Sequence, residues 1–283
     1  LITKGEKIKI QGKKLNWHEN YTIDGSPGSS QIQELNDTLI KFKKEVDLIY
    51  QEALDTKKEN YINIQNRFNG IFNKHQNFLK TFIDSNLESK ISILALFQAM
   101  KGENILNLYT DFDYYKKVHD TFQNKWPSTS HAKLLADLIL SAYAPDFTME
   151  NIYGDTLSLR DYKGKLTLLY FWASWSSSSR DNNQNMIDLY NKFHLKGLEI
   201  IGISLDGISQ QKNPKEDWKK AVREDKMIWP QISQLNGLQS SIREKYKFRT
   251  IPYNVLIDSD GHIIFNSEDY NSLQAKITEI LSR

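Results

Sequence analysis

The sequence predicts a mainly α-helical N-terminal region followed by an α/β domain, and two observations carry this prediction. Between residues 30 and 142, apolar residues recur at spacings of three and four, as on one face of an amphipathic helix. After residue 143, two nearly continuous apolar runs of strand length flank a helical stretch, which is the pattern of a βαβ unit. We therefore divide the chain into a strand-like segment with a linker at 1–28, a helical domain at 29–142 and an α/β domain at 143–283.

The helical domain carries two long apolar stripes and three shorter helical patterns. The stripes run from Leu35 to Ile49 and from Phe68 to Phe82. The shorter patterns cover Ser89–Met100, Asn104–Trp126 and Ser130–Ala142. Aromatic and aliphatic residues at this spacing form a core, and we find no catalytic constellation among them. Upstream, Ile8 and Ile10 alternate as in a strand, and the turn-rich sequence DGSPGSS precedes the first helix.

The α/β domain is predicted to begin with a small hairpin and to contain four strands and two main helices. The expected strands are Leu166–Trp172, Leu198–Leu205, Tyr253–Asp258 and His262–Asn266, and the expected helices are Ser176–Phe193 and Ser272–Leu281. Between residues 207 and 247 we expect an insertion with a helix around Trp218 and a turn at Trp229-Pro230. Both tryptophans are interpreted as packing residues.

Composition excludes several classes of function. The 283 residues include 37 basic and 35 acidic side chains, a net charge of +2 that argues against a nucleic-acid-binding protein. The chain has no cysteine, which excludes disulfides, thiolate zinc sites and cysteine nucleophiles. The six histidines are scattered, so we expect no histidine-based metal site. We also expect no metal of another kind and no cofactor. No apolar run reaches 18 residues, and because the sequence starts at Leu1 we expect a trimmed product of a longer chain.

Several short motifs of the α/β domain resemble those of one family. They are FWASWSSSSR at 171–180, Ile251-Pro252 before a strand, APDF at 144–147, LRDYKGK at 159–165, GISLD at 202–206 and LIDSDGHII at 256–264. Together they resemble the TlpA-like thiol–disulfide oxidoreductases of Bacteroidetes type, within the redoxin (AhpC/TSA) group. The resemblance implies a thioredoxin-like fold, a central mixed sheet flanked by helices, for about the last 140 residues.

In the family motif, Trp-Cys-x-x-Cys, the two cysteines would fall at Ser176 and Ser179. The start of a helix lowers the pKa of a cysteine thiol there, and the thiolate attacks a disulfide that the second cysteine then resolves. A serine hydroxyl does neither, so we expect the chain to be redox-inactive as written. Serine is a preferred helix N-cap, which gives these residues a structural interpretation. Without a Gly-x-Ser-x-Gly elbow, a serine nucleophile is not favoured.

The resemblance also implies that Pro252 follows a cis peptide bond and that its loop faces the motif. Such a loop can pair with an extended peptide as an added strand. With Trp175, Ile251 and Pro252 would form a surface that binds a protein or peptide without any thiol. Two further residues are possible accessories: Arg180 matches the family motif, and Asp206 ends a predicted parallel strand, where we favour a solvated loop carboxylate.

Three alternatives remain open at this stage. The cysteines were lost naturally, which we favour because Asn182 and Gln184 stand where the family commonly has Glu and Pro. Alternatively, an authentic oxidoreductase was trapped by engineered Cys-to-Ser substitution. In the third, the redoxin domain is a non-catalytic scaffold and the helical half is the working surface. By resemblance alone, the protein is expected in the bacterial cell envelope, periplasmic or lipid-anchored through an upstream segment.

Overall fold

The computed structural model describes residues 7–12, 21–54 and 60–282. The chain divides into two compact units, Leu1–Ile139 and Leu140–Arg283. Of the strand-like segment expected at 1–28, residues 1–6 and 13–20 lie outside the described residues. Among the helices that are described, none combines the length and the apolar character that a membrane crossing requires.

The N-terminal unit is mainly helical, as predicted, with two short β-hairpins. Its elements are β1 (Lys9–Gly12), β2 (Tyr21–Asp24), α1 (Pro27–Leu54), α2 (Tyr61–Ser85), α3 (Ser92–Leu96), β3 (Ala99–Met100), β4 (Glu103–Asn104), α4 (Phe112–Lys125) and α5 (Ser130–Ala142), the last of which runs into the second unit. Strand β1 pairs antiparallel with β2, and β3 with β4. The apolar stripes of α1 and α2 are buried in one core with Ile91, Leu96 and Phe122.

Two of the shorter helical predictions are wrong in extent. Helix α3 covers only five residues of the expected Ser89–Met100, and α4 starts at Phe112 rather than at Asn104. Lys101 and Gly102 both adopt positive φ angles, 52° and 87°, and turn the chain between β3 and β4. The side chain of Asn107 then accepts hydrogen bonds from the next turn of backbone, which holds this segment out of a helix.

The C-terminal unit is built on one seven-stranded mixed sheet. Its elements are β5 (Thr148–Asn151), β6 (Thr156–Ser158), β7 (Leu166–Trp172), α6 (Ser177–Phe193), β8 (Leu198–Ser204), α7 (Pro214–Glu224), β9 (Gln231–Ser233), α8 (Ser241–Tyr246), β10 (Tyr253–Ile257), β11 (Ile263–Ser267) and α9 (Tyr270–Leu281). The strand order is β11-β10-β7-β8-β9-β5-β6. Strands β7, β8 and β9 are parallel, and the remaining pairs are antiparallel.

The two apolar runs of the sequence are the central strands, as predicted. Strands β7 and β8 are buried along almost their whole length, because helices and further strands surround them. Helix α6 connects them as the crossover of the βαβ unit and buries Met186, Leu189 and Phe193 in the core. The thioredoxin-like fold class is therefore confirmed for the C-terminal unit, with a mainly helical region before it.

Strand β9 was not predicted from the sequence. It has three residues and lies in the segment interpreted as an insertion, yet it pairs with β8 and β5 inside the sheet. Gly202 of β8 is needed there, since a Cβ would come within 2.2 Å of the Gln231 side chain. That side chain accepts a hydrogen bond from the buried indole of Trp172 at 3.0 Å. Trp218 and Trp229 are core residues, as expected, at 1% and 3% exposure.

Candidate functional site

Ser176 lies at the start of α6 and is its N-cap residue. Its backbone is extended, with φ −91° and ψ 110°, and its hydroxyl accepts a hydrogen bond from the amide of Ser179 at 3.3 Å. A serine here satisfies one of the free N–H groups of the helix start. Its other described partner is the hydroxyl of Ser178 at 3.1 Å. Neither partner is a base, so nothing in the described structure activates Ser176 as a nucleophile.

Ser179 is one turn further along α6 and is completely buried. Its hydroxyl oxygen has no hydrogen-bond partner among the described residues. Its carbonyl group accepts a hydrogen bond from the hydroxyl of Tyr170 at 3.1 Å. A buried hydroxyl without a partner costs stability, whereas a thiol or a methyl group in the same space would not. The surroundings of Ser179 therefore suit a cysteine or alanine side chain better than a serine.

Trp175 and the loop before β10 supply the apolar surface beside the serines. The indole N–H of Trp175 donates to the carbonyl oxygen of Leu205 at 3.0 Å, and the residue remains 37% exposed. The peptide bond between Ile251 and Pro252 is cis, and both residues are half-buried. The hydroxyl of Ser178 donates to the Ile251 carbonyl oxygen at 3.3 Å, which brings this loop and the start of α6 together.

Asp206 is not the solvated loop carboxylate that the sequence favoured. It follows β8 and is completely buried. Its carboxylate accepts hydrogen bonds from the backbone N–H and the hydroxyl of Ser174 and from the hydroxyl of Ser204 at 2.5 Å. It also accepts one from the side-chain amide of Gln211 at 2.6 Å. These donors replace water around the carboxylate, which is why it can be buried although no basic side chain of the described residues pairs with it. Asp206 thereby ties the loop before Trp175 to the end of β8.

Arg180 is held in an ion-pair cluster at the end of α7. Its guanidinium group binds Asp225 through two nitrogens, at 2.6 and 2.7 Å, and Glu224 at 3.2 Å. The hydrogen bonds with Asp225 are the main reason that the pKa of Arg180 is raised. The completely buried Asn183 also donates to Asp225, at 2.5 Å. The Arg180 side chain therefore forms ion pairs that hold α6 against the end of α7.

Two members of this cluster, Asn183 and Tyr170, were missed from the sequence. The Tyr170 hydroxyl donates to the Asn183 side chain at 2.8 Å, and burial raises the pKa of this tyrosine well above its usual value. The sequence places Tyr170 in an apolar strand and Asn183 within the predicted helix Ser176–Phe193, and it singles out neither residue. The sequence does not distinguish Asn183 from its polar neighbours Asn182 and Asn185, because only the packing of α6 against the sheet decides which of them is buried.

One group of metal-ligating side chains occurs in the described part of the chain, away from the motif. Asp258, Asp260 and His262 each place one ligand atom within 4.8 Å of the others. One carboxylate oxygen of Asp258 accepts from the amides of Asp260 and His262, and the other contacts the His262 ring at 3.0 Å. The turn between β10 and β11 explains this cluster without an ion.

The fold and the helix-start site together define a redoxin domain of the thioredoxin-like class. Residues 140–266 match the sequence model of the AhpC/TSA family. The match lies within the C-terminal unit, which therefore carries a redoxin domain similar to that family.

The chain is similar to two curated thiol-disulfide oxidoreductases named ResA. That of Bacillus thuringiensis subsp. konkukian is 30% identical over 43% of this chain and 65% of its own length. That of Oceanobacillus iheyensis is 30% identical over 42% of this chain and 60% of its own length. The chain therefore spans less than two thirds of these relatives. Among solved structures, the chain is similar to the C-terminal domain of a putative thiol-disulfide oxidoreductase from Bacteroides thetaiotaomicron, at 33% sequence identity. The match covers 50% of this chain and 95% of that chain, with a TM-score of 0.45.

Proposed function

We propose that this protein is a non-redox relative of the thiol–disulfide oxidoreductases that binds an extended protein segment beside Trp175 and Pro252. The absence of cysteine from the sequence carries the first part of the proposal. Ser176 and Ser179 keep their protons at neutral pH and form no disulfide, so the start of α6 supports no thiol exchange. The start of α6 still contributes to the surface beside Trp175 and Pro252.

The loop before β10 supports the second part. In the described structure, the amide groups of Thr250 and Ile251 make no backbone hydrogen bond, although both precede a strand of the sheet. Free amides beside a sheet can pair with an incoming extended chain. Trp175 adds a fixed aromatic side chain, because its N–H is anchored to Leu205 while 37% of the residue is exposed. Tryptophan is one of the residue types enriched among the side chains that contribute most to protein binding.

The test is a binding measurement with a panel of ten-residue peptides of varied composition, followed by NMR on the full chain. We expect at least one peptide to shift the Trp175 indole signal and the Thr250 and Ile251 amide signals. Trp175→Ala should weaken its binding at least tenfold. Tyr153→Ala removes another exposed aromatic side chain, at 84% exposure, and should leave the affinity unchanged. Equal affinity for Trp175→Ala and the native chain would contradict the proposal.

A second candidate is an oxidoreductase disabled by replacement of its cysteines. The observation that favours it is the buried Ser179 hydroxyl without a partner in the described structure, since a thiol would fit there without that cost. The double variant Ser176→Cys/Ser179→Cys separates the two. Under our proposal it reduces insulin disulfides far more slowly than a cysteine-containing ResA does, and the source gene encodes serine at both positions. A comparable rate, or cysteine codons, would support the second candidate.

We further propose that the protein works in the cell envelope, where its partner would be a protein. The support is its similarity to thiol-disulfide oxidoreductases, and fractionation of the source cells tests it directly. If the helical unit were instead the working surface, its exposed side chains would carry partner binding. Leu48→Asp on α1, where Leu48 is 71% exposed, would then abolish binding that Trp175→Ala leaves intact.

A further inference from the structure

The largest of the cavities described in the C-terminal unit lies away from the serine motif. It has a volume of about 560 Å³ and opens between the β5–β6 turn and the segment from the end of α7 to β9. This volume is within the range of pockets that hold small organic molecules, which is about 300–1,000 Å³. The side chains that define it are Ile152, Leu157, Val222, Met227, Trp229 and the pair Arg223 and Lys226.

Most of the residues that line this cavity are apolar, and Asn151 and Gln231 add two amide side chains. Val222, Met227 and Trp229 are buried, and Trp229 packs against Tyr190 with ring centroids 5.5 Å apart. The indole N–H of Trp229 has no acceptor among the described residues. At the rim, the apolar side chain of Ile228 is 70% exposed. A ligand with an apolar body would cover surface that is otherwise in contact with water.

The charge at the rim is positive, and no acidic side chain in the described part of the chain pairs with it. Arg223 and Lys226 are exposed, and neither makes an ion pair with a described residue. The two acidic residues between them in sequence, Glu224 and Asp225, are already bound to Arg180. An anionic group at the mouth of the cavity would therefore meet two cations that form no ion pair with a described carboxylate.

We propose that this cavity binds a small organic anion with an unbranched apolar body, of the class of medium-chain carboxylates. The apolar walls accept the chain, and Arg223 and Lys226 hold the carboxylate at the rim. The proposal does not depend on the serine motif or on peptide binding beside Trp175. The same chemistry could be presented by a free carboxylate or by an anionic lipid in a membrane, and we commit to the free carboxylate.

The experiment is an NMR titration of the full chain with decanoate, read at the tryptophan indole N–H signals. We expect the Trp229 signal, assigned from the variant Trp229→Phe, to shift in a saturable manner while the Trp126 signal of the helical unit does not. Decylamine has the same chain with the opposite charge, and it should shift the Trp229 signal only at concentrations at least tenfold higher. Because this comparison uses the native chain, it remains informative if a variant does not fold.

Two charge-reversal variants localise the site. Arg223→Glu/Lys226→Glu should weaken decanoate binding at least tenfold. Lys212→Glu/Lys215→Glu makes the same change in net charge near the start of α7 and should bind decanoate as the native chain does. Equal responses to decanoate and decylamine, equal losses in both variants, or no shift at Trp229 would overturn the proposal. Sedimentation with phosphatidylglycerol vesicles without a response to free decanoate would also overturn it and indicate a membrane lipid.

Discussion

Ser179 and Asp206 are both completely buried polar residues of the C-terminal unit, but their surroundings differ. The carboxylate of Asp206 accepts hydrogen bonds from two serines and from Gln211. The hydroxyl of Ser179 has no partner among the described residues. The surroundings of Asp206 match the side chain that is present, whereas those of Ser179 match a side chain that needs no hydrogen bond. The packing around Ser179 therefore suits a small side chain without a polar group, although the side chain present is a serine, which supplies no thiol.

The largest change in stability is expected when the side chain of Asp206 is removed. Asp206→Ala removes the carboxylate that accepts hydrogen bonds from the buried Ser204 and from the half-buried Ser174 and Gln211. We expect the free energy of unfolding to fall by roughly 3 kcal/mol, the usual cost of breaking a buried charged network. Urea denaturation followed by circular dichroism measures it. Asp260→Ala removes an exposed carboxylate and should change stability by less than ~0.5 kcal/mol.

If Asp206→Ala were as stable as Asp260→Ala, the hydrogen bonds around Asp206 would contribute nothing net. The comparison with Ser179 would then have no energetic basis. Trp175 provides a second readout of the structure around Asp206, since its indole N–H donates a hydrogen bond to the carbonyl oxygen of the neighbouring Leu205. We expect the Trp175 indole signal in NMR spectra to move in Asp206→Ala and to stay in place in Asp260→Ala.

The next effect concerns the ion-pair cluster that includes Arg180. Arg180→Ala removes two hydrogen bonds to Asp225 and one to Glu224, and we expect a loss of about 1–2 kcal/mol in unfolding free energy. Because Coulomb attraction is screened by salt, the loss should shrink at 1 M NaCl. Lys276→Ala, which breaks a single bond to Glu279 at 3.0 Å, is the matched control. Equal losses at low and high salt would contradict an electrostatic role for Arg180.

A smaller change in stability, of opposite sign, is expected when the hydroxyl of Ser179 is removed. Ser179→Ala removes a buried hydroxyl that has no described partner, and we expect it to stabilise the protein by about 1 kcal/mol. Ser176→Ala removes the N-cap hydrogen bond and should destabilise by about 1 kcal/mol. Thermal unfolding of the two variants in parallel gives the signs. A loss of stability in Ser179→Ala would mean that the hydroxyl makes a favourable interaction after all.

Much of the fold could be predicted from the sequence, because its signals are local. The apolar run at Leu166–Trp172 and the pattern of Ser130–Ala142 give elements with the predicted bounds. Strand β9 could not be predicted, since three residues carry no periodicity and only pairing with β8 makes them a strand. The short hairpin at Lys101-Gly102 depends on two positive φ angles that a helical pattern conceals.

The candidate site was predictable in position but not in environment. The motif placed Ser176 at a helix start, where the structure has it as the N-cap. The burial of Asp206 was not predictable, because its donors are Ser174, Ser204 and Gln211, and two of these lie in loops. Likewise, nothing in the sequence shows that Arg180 meets Asp225, 45 residues away. Such contacts follow from the tertiary arrangement of elements and not from local pattern.

The smallest expected effect extends the comparison to His75, a buried polar residue of the helical unit. Its ring stacks on Phe42 at 4.3 Å, and its Nε2 lies 2.6 Å from the side-chain oxygen of Gln98. Because burial lowers the pKa of His75, the unfolded chain binds a proton here more readily than the folded one. Stability from this residue should be complete above pH 6.5, the ordinary value for histidine, and should be lost as the pH falls below it. His75→Phe keeps the stacking ring and cannot be protonated, so the stability difference between the native chain and this variant should change with pH in urea titrations. A difference that stays constant between pH 7.5 and 5 would contradict a neutral, buried His75.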